Sequence, residues 1–502
     1  MFPARILFWY ACYVTINDGD EVVDDFTEAY SQGMPSSLVA DSPGPPGGFG
    51  VDEDADGARG AEPVAAAEPL PGEAPAKSVA LGGLIIGAEG AQQGWLTIEG
   101  GVISNITTRR PPGARALATD GVIMPGLIDL HGHPEFNVFS AWEPPKTYLN
   151  RYAWRGDAPY KLLIREPQNK LRKALPPGLQ LRYAEIRALV GGVTAIQGAS
   201  FATQRSSETL VRNVDGLIFG EHRARALIDL PSSLDSPRGG EDLQRTLTDI
   251  GNGDVTTLYV HLAEGQRTNE RSVAEFAHLR DDLNALTPAT VIIHGTALTR
   301  DQLGEAADAG AKLVWSPQSN LRLYRETTRA ADAIDVGLPI GLGADWLPSG
   351  STSLLAELKV ARQQLFNQGA AVSARDLVGM VTAGAAKIAG LDHKLGTITV
   401  SAPADVVVLS RNNRDAYESV CLSTPNDVQL VIIDGQLSYG REDWVRALAA
   451  DPDAAVLEAV LAWGRPMLLN TGRTATNGTT SDLEELRSAL INAYPQVGPI
   501  WA

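Results

Sequence analysis

The chain has 502 residues, 44% of them hydrophobic, with two cysteines, seven histidines and a formal net charge of −18. Two cysteines exclude a disulfide-stapled scaffold and a four-cysteine zinc site. The acidic balance excludes nucleic acid as the main partner, because a phosphate backbone is neutralised by Lys and Arg. The charge is uneven: residues 1–77 hold fourteen Asp and Glu against three Lys and Arg, a net of −11, which leaves −7 for the other 425 residues.

At the start, residues 6–16 (ILFWYACYVTI) form one apolar run behind Arg5. A membrane-spanning helix needs about 20 apolar residues, so this run is too short to cross a bilayer. It has the size of a signal-peptide core but no clear small-x-small cleavage site. A short buried segment and a misassigned start are the other readings. A cytoplasmic location is expected, with secretion left open, and no other segment approaches a membrane span. Residues 17–77 are rich in Asp, Glu, Pro, Gly and Ala without apolar periodicity. The expectation for 1–77 is a disordered acidic leader.

Regular patterning starts near Ser78. VALGGLIIG (79–87), GWLTIEGGVISNI (94–106) and ARALATD (114–120) read as short strands between glycine turns. LGTITVSAPADVVVLSR (395–411) and VQLVIIDGQLSYG (428–440) read the same way. Segments 78–120 and 396–440 are therefore expected to form one small β-sandwich built from both ends of the chain. Between them, residues 121–395 alternate strand-like and helix-like runs. The strands are GVIMPGLIDLHGH (121–133), VTAIQG (193–198), RALIDL (225–230), VTTLYVHLAE (255–264), TVIIHG (290–295), KLVWSP (312–317) and PIGLGAD (339–345). Amphipathic stretches such as 272–286 and 352–365 lie between them. About eight such units over this length predict an α/β fold, a (β/α)8 TIM-type barrel, with a doubly wound open sheet as the alternative. No phosphate-binding glycine loop follows a strand. Residues 441–502 read as a helical extension.

The histidines are informative through their positions. His131 and His133 are two apart at a strand end, so their side chains share a face and suit a metal pair. His261 ends another strand and is followed by Glu264; His294 ends the next; Asp345 ends the last. In a barrel, strand ends form the catalytic face. His222, His278 and His393 have no such context, and His278 and His393 read as structural.

These pieces resemble the amidohydrolase superfamily of metal-dependent hydrolases: PGLIDLHGH (125–133), HLAE (261–264), IIHG (292–295), SPQSNLRL (316–323), LGAD (342–345), TAGAAKIAGL (382–391) and LGTITVSAPADVVVL (395–409). Within it, the SPQSN (316–320) and GAD (343–345) segments look most like the deaminase and chlorohydrolase branch. The resemblance implies that His131, His133, His261 and Asp345 hold one divalent metal, zinc or iron, and that Asp345 is also counted among the catalytic groups. It implies that Glu264 shuttles protons and that His294 hydrogen-bonds the attacking oxygen or the developing oxyanion. Binuclear relatives bridge two metals with a carboxylated lysine on a middle strand. VTAIQG and RALIDL offer none, which favours one metal.

Two departures leave the substrate open. Trp346 follows the metal Asp, and residues 133–163 form a long, aromatic, Pro-broken segment. Trp142, Tyr148, Trp154, Trp315 and Trp346 are expected to reach the catalytic face with Arg151, which with Arg155 could meet an anionic substituent. Gln318 and Asn320 are candidates to hydrogen-bond substrate, or to form a turn that caps a helix. The expected function is hydrolysis of a carbon–nitrogen bond in a small molecule, by deamination or ring opening. Hydrolysis of a linear or peptide-derived amide is the alternative, and a non-catalytic scaffold with the same fold is the second. Homo-oligomerisation is left open.

Overall fold

The computed structural model describes residues 78–501 except 177, 200–208, 217, 222, 238, 451–456 and 472–481. The acidic stretch 1–77 and His222 lie outside the described residues. No helix among the described residues is long and apolar enough to cross a membrane.

The described chain opens with β1 (Val79–Gly87), β2 (Gly90–Glu99), β3 (Val102–Thr107) and β4 (Arg115–Pro125). Eight shorter strands follow, alternating with helices. They are β5 (Leu127–Asp129), β6 (Val193–Ile196), β7 (Arg212–Asn213), β8 (Ala224–Leu227), β9 (Thr257–Leu262), β10 (Thr290–His294), β11 (Lys312–Trp315) and β12 (Ile340–Leu342). Five more close the series: β13 (Val406–Leu409), β14 (Val428–Ile433), β15 (Gln436–Arg441), β16 (Leu457–Ala462) and β17 (Arg465–Asn470).

The run 121–133, expected as one strand, divides at Gly126 into the end of β4 and β5, which belong to different sheets. The strands from the two ends of the chain form one nine-stranded sheet, ordered β16-β17-β15-β14-β13-β4-β1-β2-β3. Only β1 and β4 pair in parallel. The expected sandwich is thus one continuous hydrogen-bonded sheet, and it extends to residue 470 rather than stopping at 440.

The helical tail expected for 441–502 needs a second correction. Helices occupy Glu442–Leu448 and Leu483–Ala493, but β16 and β17 form an antiparallel hairpin between them. Trp463 (φ 48°) and Gly464 (φ 77°) are both left-handed, as a two-residue hairpin turn requires. The open edge of β15 takes up β17, so strand pairing overrode the helix-like apolar spacing.

β5 to β12 run parallel to their neighbours in two arcs, β5-β6-β7 and β12-β11-β10-β9-β8. All residues of β9 and β10 are buried, which matches their unbroken apolar runs; parallel strands covered on both faces need no alternation. The arcs meet at one seam. The Leu130 N–H donates to the Leu342 carbonyl (3.2 Å) and the Asp345 N–H to the His131 carbonyl (2.8 Å). The Asp129 carboxylate straddles this seam, accepting from Ala344 N (3.0 Å) and His131 N (3.3 Å). β7 and β8 share no ladder among the described residues. β7, two residues long, was not among the expected strands.

Gly198, just past β6, sits at φ +103°, and a Cβ there would lie 1.6 Å from the Gly132 carbonyl oxygen. The backbone between the paired histidines thus rests directly on Gly198. Gly198→Ala should lose more than about 1 kcal/mol in urea unfolding; an unchanged midpoint would contradict this close approach.

Glu357, in the helix Leu354–Asn367, is fully buried. Its carboxylate accepts from Gln318 N (3.0 Å) and from the Ser351 side chain. Burial pushes its carboxyl up to about 8. A carboxyl raised on folding costs stability as pH climbs from its unfolded value through its folded one. Glu357→Gln keeps the acceptor and drops the charge. Its melting temperature should exceed the wild type's by a margin that grows between about pH 5 and about pH 8 and levels off above it. A margin independent of pH would contradict this reading.

Candidate active site

Each chemically capable side chain hangs from a strand end. β5 leads to His131 and His133, β9 carries His261 and leads to Glu264, β10 ends in His294, and β12 leads to Asp345. Three of these ends bend through the left-handed region, at Ala263 (φ 52°), His294 (66°) and Asp345 (59°). Such conformations are uncommon for residues other than glycine. They turn the following chain away from the strand and leave the ligand atoms facing one another.

The His131 ring lies 5.0 Å from His133, 4.8 Å from His261 and 5.1 Å from His294, centroid to centroid. Nε2 atoms of His131 and His133 lie 3.3 and 3.6 Å from Asp345 Oδ1. Ligand atoms of His131, His133 and His261 fall within 4.8 Å of one another, and so do those of His131, His294 and Asp345. Both ring nitrogens of His131, Nδ1 of His261 and Oδ1 of Asp345 are buried without a hydrogen bond. Orphaned buried polar atoms are costly. One ring nitrogen from each of His131, His133 and His261, clustered with the Asp345 carboxylate, fits a cation, and three imidazoles with a carboxylate are a donor set for zinc or iron.

The protonation states agree. Burial holds His133 and His294 down to about 3, and His261 well below its usual range. All three are therefore neutral, and the lone pairs of His133 and His261 are available to a metal. Burial works against charge on His131 and on Asp345 as well, but their mutual attraction wins: His131 is raised and Asp345 lowered.

Glu264 is 4% exposed. Burial raises its carboxyl above the usual range, and its Oε2 lies 3.8 Å from His294 Nε2. Asn320, fully buried in the helix Pro317–Tyr324, donates from Nδ2 to His294 Nδ1 (3.1 Å). The direction follows from what stands behind it. The Trp315 indole N–H, which can only donate, goes to Thr327 Oγ1 (2.7 Å). The Thr327 proton is left to point at Asn320 Oδ1 (3.4 Å). The amide nitrogen then faces His294, so in the neutral ring Nδ1 is the acceptor and Nε2 carries the proton.

A cleft of about 500 Å³ opens over these groups. Trp154, Trp346 and Tyr160 form an aromatic wall, with ring centroids 5.4 Å apart for Trp154–Trp346 and 5.0 Å for Trp154–Tyr160. Arg151 and Arg155 also line it, but their charge is met. Arg151 pairs with Glu275 (3.1 Å) and Asp229 (3.2 Å), and Arg155 with Asp229 (2.8 Å).

Trp142, Tyr148 and Trp315, expected here, do not line the cleft: Trp142 stacks on Tyr148 at 6.1 Å, and the buried Trp315 indole donates to Thr327 instead. Gln318 does not either, because Pro317 starts a helix that turns the Gln318 N–H onto Glu357. Asn320 meets His294 rather than the open cleft. His278 bridges Asp282 and the Pro231 carbonyl, and His393 is exposed in a loop. Asp129, Glu275, Tyr324 and Thr327 were not singled out from sequence. The only local signal was for Asp129, a charged residue inside an apolar strand two positions before His131.

Asn320→Asp would accept a proton from His294 Nδ1 and strip Nε2 of its hydrogen. If His294 serves the reaction as a donor through Nε2, the wrong tautomer removes that donor, and kcat should fall about 100-fold or more with the fold intact by circular dichroism. Full activity would contradict the assigned tautomer.

A family model described as "Amidohydrolase family" matches residues 255–438. A 5-methylthioadenosine/S-adenosylhomocysteine deaminase of Teredinibacter turnerae is 25% identical over 335 residues, 59% of this chain and 73% of the relative. Guanine deaminase of Rattus norvegicus is 23% identical over 375 residues, 66% of this chain and 82% of the relative. Among solved structures, an adenosine deaminase from Xanthomonas campestris with bound zinc superposes with a TM-score of 0.55 at 17% identity, covering 72% of this chain and 92% of that one. A triazine hydrolase from Arthrobacter aurescens reaches 0.57 at 17% identity, covering 84% and 100%. The chain resembles the amidohydrolase superfamily, and within it the deaminase and chlorohydrolase branch, and these similarities support a hydrolase that acts on carbon–nitrogen bonds other than ordinary peptide bonds.

Proposed function

We propose that the chain deaminates or hydrolytically opens a small, uncharged, nitrogen-containing ring, using a single divalent ion, zinc or iron. The convergence of unpaired buried donor atoms on His131, His261 and Asp345 carries this reading. His131, His133, His261 and Asp345 would hold the ion. When bound, such an ion supplies Lewis acidity that makes water acidic near neutral pH.

Glu264 Oε2 takes the proton of the attacking water and returns it to the leaving nitrogen. Burial makes its carboxylate a stronger base than an ordinary one, which suits it to take the proton and hold it until the more basic leaving nitrogen draws it away. His294 donates from Nε2 to the oxyanion that develops on the attacked carbon. The same tautomer supports leaving His294 outside the ligand set, because Nε2 has no lone pair to offer while Nδ1 accepts from Asn320. Trp154, Trp346 and Tyr160 suit a flat ring. Arg151 and Arg155, already neutralised by Asp229 and Glu275, argue for a substrate without a free anionic group.

Elemental analysis of the purified chain should find about one zinc or iron per molecule. His261→Ala/Asp345→Ala should lose it, and chelation should abolish turnover until metal is restored. A panel of neutral aminoheterocycles and lactams assayed for ammonia release and ring opening, beside linear amides assayed for amine release, separates the two hydrolase readings. A chain that binds no transition metal and turns over none of the panel would sink the proposal.

A further inference from the structure

The indole of Trp154 and the phenol of Tyr324 are 170 residues apart in the chain and meet behind Glu264. Trp154 Nε1 donates to Tyr324 Oη at 2.8 Å, and Tyr324 Oη donates to Glu264 Oε1 at 2.5 Å. Trp154 and Glu264 are 7% and 4% exposed and Tyr324 is fully buried.

The chemistry of the three groups fixes the direction of both bonds. An indole N–H has a proton and no lone pair in plane, so it can only donate. Tyr324 must accept it, which leaves its single hydroxyl proton free to point at Glu264. Oε1 is therefore an acceptor whether Glu264 is ionised or protonated. A carboxylate with one oxygen held in this way has one oxygen left for exchange, and that oxygen, Oε2, is the one 3.8 Å from His294 Nε2.

We propose that Tyr324 is a positioning residue that reserves Glu264 Oε2 for proton transfer, and that Trp154 sets the direction of the Tyr324 hydroxyl. The inference rests on the reading of Glu264 as the proton carrier. It gives Trp154 a double duty. Its ring forms part of the cleft wall against Trp346 and Tyr160, while its N–H starts the relay. A ligand that shifts the wall therefore also shifts the proton carrier.

Two measurements test the relay on the full-length chain. The first is kinetic. Tyr324→Phe keeps the ring and removes the hydroxyl, so Glu264 can rotate and present either oxygen. kcat should fall about 10- to 100-fold, the scale of a small misplacement of a reacting group, while KM stays within about threefold and bound metal is unchanged. A kcat within about twofold of wild type, or a loss shared equally by KM and thermal stability, would overturn the proposal.

The second needs no turnover. In protein labelled with ¹⁵N-tryptophan, the Trp154 indole N–H resonance is the one missing in Trp154→Phe. It should move in Tyr324→Phe and in Glu264→Ala, which remove the two successive acceptors. It should stay in place in Glu264→Gln, whose carbonyl still accepts. A resonance indifferent to Glu264→Ala, or one that moves equally in Glu264→Gln, would overturn the relay, even if Tyr324→Phe fails to fold. A wild type without activity on any carbon–nitrogen substrate but with this resonance pattern intact would defeat the proton-carrier reading and not the relay.

Discussion

Everything at the site depends on the seam between β5 and β12. These strands are more than 200 residues apart in sequence, and their pairing rests on few bonds: the backbone contacts Leu130–Leu342 and Asp345–His131, with Asp129 accepting from both sides. The seam brings His131 and His133 to Asp345. Because the Asp345 N–H donates to the carbonyl of His131 itself, the carboxylate and imidazole are held in register by the backbone that carries them. The left-handed turns at Ala263, His294 and Asp345 are affordable only where the surrounding strands over-determine them.

Around that seam the protein repeats one device. Trp315 stands behind His294 through Thr327 and Asn320, and Trp154 stands behind Glu264 through Tyr324. Both chains start at a buried group that cannot accept a hydrogen bond. Hydroxyls and amides, which otherwise rotate or flip, are thereby given one orientation. Orienting groups before the reaction avoids spending free energy on them during it. Burial does the complementary work, keeping His133, His261 and His294 neutral and Glu264 poised above the ordinary carboxylate range.

The parts legible in the sequence were those with a local period. HGH, HLAE, IIHG and LGAD each end an apolar run, and each places its polar group at a strand end in the structure. What escaped had no local pattern. β7 is two residues long, too short to alternate. The hairpin of β16 and β17 shares its apolar spacing with a helix, and only the free edge of β15 decides between them. Tyr324 ends an ordinary amphipathic helix, and nothing nearby marks its hydroxyl as a partner for Glu264. Arg151 and Arg155 looked available for an anion because Asp229 and Glu275, distant in sequence, were invisible as their partners. Gln318 was read as a possible substrate contact because its backbone N–H partner, Glu357, lies far away in sequence.

The pairing of Arg151 and Arg155 with Asp229 also bears on how such a site changes over time. One carboxylate on the loop after β8 restrains two guanidinium groups at the cleft wall. Arg151 would stay anchored by Glu275 if Asp229 were lost, but Arg155 would lose its bidentate partner. A single exchange of Asp229 for Asn would remove one negative charge from beside the two guanidinium groups of the cavity wall without touching the histidines or Glu264. Divergence towards acidic ligands is thus one substitution away from the present arrangement, and the hydrolytic machinery need not be rebuilt to follow it.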